Sequence, residues 1–126
     1  MKLDHINISA PMELLREVRD FYCSVLGLKE GYRPDFGQKG FWLYGTDKPL
    51  IHLSESDAVL AGMKQGHLNH VAFQTTGLED MTERLKSKNI EYRSCYIAEI
   101  NMSQLFFHDP AGTCIEVNFL NESTNT

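Results

Sequence analysis

The sequence predicts an α+β fold built from two βαβββ modules that form a curved mixed sheet. Three observations carry the prediction: stretches near the start recur later in the chain, each half reads as strand, amphipathic helix and three strands, and turn signals separate those elements. Leu3-Asp4-His5-Ile6-Asn7-Ile8 resembles Leu68-Asn69-His70-Val71-Ala72-Phe73, with His5 and His70 lying 65 residues apart. Phe41-Trp42-Leu43-Tyr44-Gly45 and Pro49-Leu50-Ile51-His52-Leu53 face Leu105-Phe106-Phe107-His108-Asp109 and Thr113-Cys114-Ile115-Glu116-Val117, at a spacing of 64 from His52 to Glu116. Two spacings that agree within one residue, in unlike stretches, point to a duplicated unit.

A short β-branched strand opens each half, over 3–10 and 68–75. A helix follows in the first half, where Leu14, Leu15, Val18, Phe21, Tyr22, Val25 and Leu26 recur at helical spacing and Gly27 marks the stop. In the second half Leu78, Met81, Leu85 and Ile90 form the apolar stripe, with Lys86 and Lys88 near the negative end of the helix dipole. Three strands close each half, at about 28–33, 39–45 and 49–55, then at about 90–97, 102–108 and 113–120. Asp109-Pro110-Ala111-Gly112 is a turn signal, and Gly45-Thr46-Asp47-Lys48 is its counterpart. The chain is expected to be one domain, its modules at about 1–58 and 66–120 and divided by a glycine-bearing linker around 61–66. The polar tail 121–126 lacks an apolar anchor and is expected to fray.

The totals narrow the function. At 126 residues the chain can bury a core without staples, and 42% hydrophobic with 23% charged residues is ordinary for a soluble globular protein. A formal charge of −5 argues against nucleic acid, which needs a basic face, and against anionic membranes. No apolar run is long enough to span a bilayer and the start has no signal-peptide core. Three scattered cysteines, Cys23, Cys95 and Cys114, without a CxxC pair, read as reduced thiols in a cytoplasmic protein.

Strand parity then selects a constellation. In the opening strands Ile6 and Ile8, and Val71 and Phe73, share one face; His5 and Asn7, and His70 and Ala72, share the other. In the closing strands Ile51 and Leu53, and Ile115, Val117 and Phe119, oppose His52 and Glu116. The apolar parity packs on the helix of its own half. The other carries one imidazole or carboxylate in each of four repeat-related strands. A merely solvated sheet face would be served as well by Lys, Thr or Ser. His5, His52, His70 and Glu116 are therefore the candidate ligands of a divalent metal ion, with His52 a candidate base instead.

The L-x-H strand opening each half, Phe21-Tyr22 to Leu26-Gly27-Leu28 at the helix end, and Asp109 to Glu116 (DPAG-x-x-IE) resemble the vicinal oxygen chelate superfamily of glyoxalase I, extradiol dioxygenases, fosfomycin-resistance enzymes, methylmalonyl-CoA epimerase and bleomycin-binding proteins. The resemblance covers about residues 3 to 120. It implies paired βαβββ modules around a cleft and a common homodimer. His5, His70 and Glu116 fall at the first-, fifth- and last-strand ligand positions, and His52 falls where glyoxalase I has a glutamate and the epimerase a glutamine. The ion (iron, zinc, nickel, cobalt or manganese) would chelate two adjacent substrate oxygens as a Lewis acid. Trp42, Tyr44, Gln104, Phe106 and Asn7 would line the cleft by the same parity. Arg33 and Arg93, read as matching places in the two halves, are candidates for a substrate anion but more simply solvated.

Departures from the family patterns bear on the reaction. The opening strand offers Asn7 and Ser9 where glyoxalase I uses an arginine for glutathione, which counts against a glutathione-dependent enzyme. Phe106 lies about where extradiol enzymes place a tyrosine, and the lysine-serine-arginine set of the fosfomycin enzymes is missing. The retained ligand residues count against a metal-free bleomycin binder. The expectation is a metal-dependent lyase or isomerase of the glyoxalase kind, acting on a small substrate with vicinal oxygens, with Glu116 or His52 moving a proton. The alternatives are an iron(II) extradiol-type dioxygenase and a non-catalytic ligand-binding or resistance protein of the same fold.

Overall fold

A computed structural model describes residues 2–57, 68 and 70–123. The chain divides into two compact units, Met1–Met63 and Lys64–Thr126. In the first unit, β1 (Ile6–Ala10) leads into α1 (Met12–Ser24), followed by β2 (Lys29–Gly31), β3 (Gly40–Tyr44) and β4 (Pro49–Glu55). The second unit repeats the order with β5 (Val71–Gln74), α2 (Leu78–Ser87), β6 (Arg93–Ile97), β7 (Met102–His108) and β8 (Cys114–Leu120); a 3-10 turn at Ala98–Ile100 precedes β7. Each unit has one four-stranded mixed sheet, in the orders β1-β4-β3-β2 and β5-β8-β7-β6. The first strand of each unit runs parallel to the last, and the other pairs are antiparallel.

The ladders repeat as the sequence does. His52 faces Asn7 on β1 and Trp42 on β3, while Glu116 faces Ala72 on β5 and Phe106 on β7. Parity holds along both closing strands: Ile51, Leu53, Ile115, Val117 and Phe119 are buried, while His52 and Glu116 are half-buried on the opposite face. The pairing of Arg33 with Arg93 does not hold. Arg93 pairs with Phe106, but the residue opposite Trp42 is Gly31, and Arg33 lies in the loop beyond β2.

Helix α1 buries Leu15, Val18, Phe21 and Tyr22, and Gly27 takes φ +74° as the chain leaves it. Helix α2 buries Leu78, Met81 and Leu85. Its end is a Schellman motif: Ile90 N–H donates to the Leu85 carbonyl and Asn89 N–H to that of Lys86, with Asn89 at φ 55°. At its start no side chain of its own caps it. Instead the carboxylate of Glu122, past the end of β8, accepts from Gly77 N–H (3.0 Å) and Leu78 N–H (2.9 Å). The tail is thus held at its first residues, where a polar composition suggested fraying; a second anchor joins Asn121 N–H to the Asn101 carbonyl. Residues 124–126, and the linker expected around 61–66, lie outside the described residues.

The turn before β8 forms around buried Asp109, whose Oδ1 accepts from Ala111 N–H and Thr113 N–H. It sets the start of the strand that carries Glu116.

Candidate functional site

In the first unit four rings stand in series. His5 lies flat on His52, centroids 3.7 Å apart and planes 11° apart. Trp42 covers the other face of His52 at 4.1 Å and 15°, and Phe36 leans on Trp42 at 6.0 Å. The order follows from register: Trp42 and His52 are direct cross-strand partners, so their rings project from the same side of the sheet. His5 precedes β1 by one residue, and its Nδ1 is held 2.6 Å from Asp4 Oδ2. That contact and Lys48 hold the exposed Asp4 carboxyl below its ordinary range.

His52 Nε2 is buried and has no hydrogen-bond partner. Burial pushes the His52 pKa down, the neighbouring His5 adds to this, and a hydrogen bond with the Pro49 backbone works in the opposite sense. A neutral imidazole with an unpartnered nitrogen is the state that takes a metal ion or accepts a proton. The stack borders a hollow of about 380 Å³, which Asn7, Arg33, Gln38 and Ser54 also line. Asn7 is fixed there: Ser54 Oγ donates to its Oδ1 (2.8 Å) and its Nδ2 donates to Ser9 Oγ (3.0 Å).

In the second unit Glu116 is the centre. Its side chain is 12% exposed, and Oε1 lies 3.3 Å from His70 Nε2. The other oxygen, Oε2, accepts from Asn118 Nδ2 at 2.8 Å and from Gln104 Nε2 at 3.3 Å. Gln104 also donates to Asn118 Oδ1 (3.1 Å), so the two amides clamp the carboxylate in one orientation. Phe106 stands across the ladder from Glu116 and carries the Arg93 guanidinium 4.8 Å above its ring.

The predicted residues therefore meet in two groups. His5, His52, Trp42 and Asn7 line one hollow in the first unit, and His70, Glu116, Gln104 and Phe106 cluster in the second. Tyr44 turns elsewhere: its hydroxyl donates to the Tyr32 carbonyl (2.6 Å), and its ring covers Gly31, where a Cβ would come within 2.8 Å. Among the described residues, no three His, Cys, Asp or Glu side chains gather as a metal-holding group. Phe36 and Gln38 join the hollow from a loop with no periodicity, which leaves no sequence signal, and Ser54 shares the parity of His52. Asn118 was legible by the same rule, two residues beyond Glu116. His108, beside the turn before β8, is exposed.

Residues 2–117 match the family model described as the Glyoxalase/Bleomycin resistance protein/Dioxygenase superfamily. "Glyoxylase I 4" of Arabidopsis thaliana is 29% identical over 121 residues, a match spanning 91% of this chain and 68% of the relative. Among solved structures, a glyoxalase family protein from Bacillus anthracis superposes with a TM-score of 0.75 at 21% identity, over 95% of both chains. A mutant of the fosfomycin resistance protein FosX from Listeria monocytogenes, complexed with Mn(II) and a dihydroxypropylphosphonic acid, superposes with a TM-score of 0.66 at 19% identity. That match covers 98% of this chain and 94% of FosX. At these identities the two structures establish the shared fold.

Proposed function

This chain belongs to the Glyoxalase/Bleomycin resistance protein/Dioxygenase superfamily, and from that premise we propose that it is a divalent-metal-dependent lyase or isomerase of the glyoxalase kind. Its substrate is a small molecule with two neighbouring oxygens, and the ion's ligands are drawn from His5, His52, His70 and Glu116. The observation that carries the reading is the buried, unpartnered Nε2 of His52, in a ring stack with a second imidazole. Burial of a ring nitrogen without a partner is costly, and a ligand to it removes the cost. The donor chemistry fits a borderline divalent cation: imidazoles and a carboxylate suit zinc, iron, nickel, cobalt or manganese. Asp4 on His5 Nδ1 is the outer-shell contact that leaves Nε2 as the ligating atom. The family resemblance and the Mn(II) complex of FosX support the same reading.

When bound, such an ion supplies Lewis acidity to two adjacent oxygens. The chain's own residues do the rest. Glu116, held by Asn118 and Gln104, or His52 through Nε2, accepts the proton from carbon and returns it. Trp42 and Phe106 give the substrate apolar ring surroundings, and Asn7, fixed by Ser9 and Ser54, offers a polar contact. The active form is a homodimer, and its three free thiols suit the cytoplasm.

The test is elemental mass spectrometry of the untagged protein beside a His5→Ala/Glu116→Ala variant. Stoichiometric metal in the wild type that is lost in the variant is the expected result. Unchanged metal in the variant sinks the ligand assignment. Iron as the native metal turns the reading to the dioxygenase, which oxygen uptake with a catechol panel then checks. No metal after reloading turns it to a ligand-binding protein of the same fold.

A further inference from the structure

Among the described residues, the hollow beside the His52 stack is lined by one permanently charged cation, the guanidinium of Arg33, and by one carboxylate, Asp4, which is already paired with His5 and Lys48; we infer that the hollow takes an acidic oxyanion group, a carboxylate or phosphonate, on Arg33. The inference rests on reading this hollow as the substrate site, and it narrows the substrate class to an organic acid.

Three features place the guanidinium. Arg33 Nη1 donates to the Gln38 carbonyl at 2.9 Å, which anchors one edge of the fork. Its Cζ lies 5.1 Å above the Phe36 ring, which holds the plane. Gly40 leaves the room: a Cβ there would meet the Leu53 carbonyl oxygen and come within 3.0 Å of Arg33 Cζ and Nε. Arg33 thereby lines the same hollow as His5, His52 and Trp42.

The group is placed but not satisfied. Arg33 Nε is buried without any hydrogen-bond partner, one of two such side-chain atoms among the described residues; the other is His52 Nε2. Arg33 makes no ion pair among the described residues, although Arg19 pairs with Asp20 and Glu30 nearby. A planar fork with free donors matches a two-oxygen anion. The two residues that carry these buried nitrogens line one hollow. A substrate with an acid group at one end and neighbouring oxygens at the other suits a guanidinium and two imidazoles placed around that hollow.

Trp42 is the only tryptophan of the chain and lines this hollow, so its fluorescence reports binding there. The experiment titrates mandelate, phenylphosphonate and the neutral mandelamide into full-length protein stripped of metal on a chelating resin. It compares wild type, Arg33→Gln and Arg33→Lys, with metal uptake of each variant measured separately. Saturable quenching by at least one acid and not by the amide is expected, with affinity falling roughly ten- to hundredfold in Arg33→Gln and partly restored in Arg33→Lys. Whichever acid binds more tightly identifies the oxyanion. Equal affinity of wild type and Arg33→Gln overturns the inference, as does equal binding of amide and acid by the wild type; the latter comparison stands even if the variants misfold. Because the titration uses no metal, loss of the metal reading leaves this result intact, and normal metal uptake beside absent acid selectivity fails this inference alone.

Discussion

Trp42 and His52 are cross-strand partners whose rings lie 4.1 Å apart, and the imidazole is closed on its other face by His5. Both faces of His52 are thus shielded by rings, and its Nε2 is buried without a hydrogen-bond partner. This geometry is the cause of its depressed pKa, with burial first and the neighbouring imidazole second.

The metal-free protein should therefore lose stability on mild acidification. The folded state keeps His52 neutral, while the unfolded chain takes up its proton near the ordinary value of about 6.5. Below that value the unfolded state binds more protons, so stability falls with falling pH until the folded pKa is passed. Urea midpoints at about pH 7.5 and about pH 5.5 should differ more in the wild type than in His52→Gln. An NMR titration of the His52 ring should place its midpoint below that of an unfolded histidine. A midpoint at or above it would contradict the burial argument.

Glu122 closes the start of α2 from outside the helix. Its carboxylate meets two free N–H groups where the helix dipole is positive. Glu122→Ala should cost about 1–2 kcal/mol in urea unfolding. Glu122→Gln, which keeps an acceptor and loses the charge, should cost less. No difference between Glu122→Ala and wild type would mean that solvent satisfies those groups equally well.

The cysteines should react in a fixed order. Cys95 is exposed on β6, whereas Cys23 is half-buried on α1 and burial pushes its thiol up. Thiolate is the reacting species, so Ellman's reagent should label Cys95 well before Cys23 at neutral pH. Mass mapping after partial labelling checks this, and early modification of Cys23 would refute it.

Much of the fold was legible because strands and helices announce themselves by period. The expected strand at 102–108 matches β7 residue for residue, and 113–120 differs from β8 only at its first residue. The opening strands were drawn too long, since His5 and His70 precede the ladders and neither pairs within them. Parity and repeat spacing put His5, His52, His70 and Glu116 in one constellation; within the units His5 stands against His52 and His70 against Glu116. Arg33 did not. Its place depends on a loop contact to Gln38 and on the absence of a side chain at Gly40, and neither leaves a periodic trace. Glu122 was missed for a similar reason: a lone acid after the last strand carries no signal that it reaches back to a helix 44 residues earlier.

The parallel pairing of β1 with β4 sets when the first unit can form. Whereas α1 and the β2–β3 ladder join residues nearer in sequence, the unit's opening strand finds its neighbour only when residues 51–55 exist. Once they exist, every ladder of that sheet has its partner. On the ribosome, the amino-terminal half can therefore close its sheet while the second half is still being synthesised. The rate of that closure is set by joining segments 45 residues apart, as Ile6 to Ile51 are.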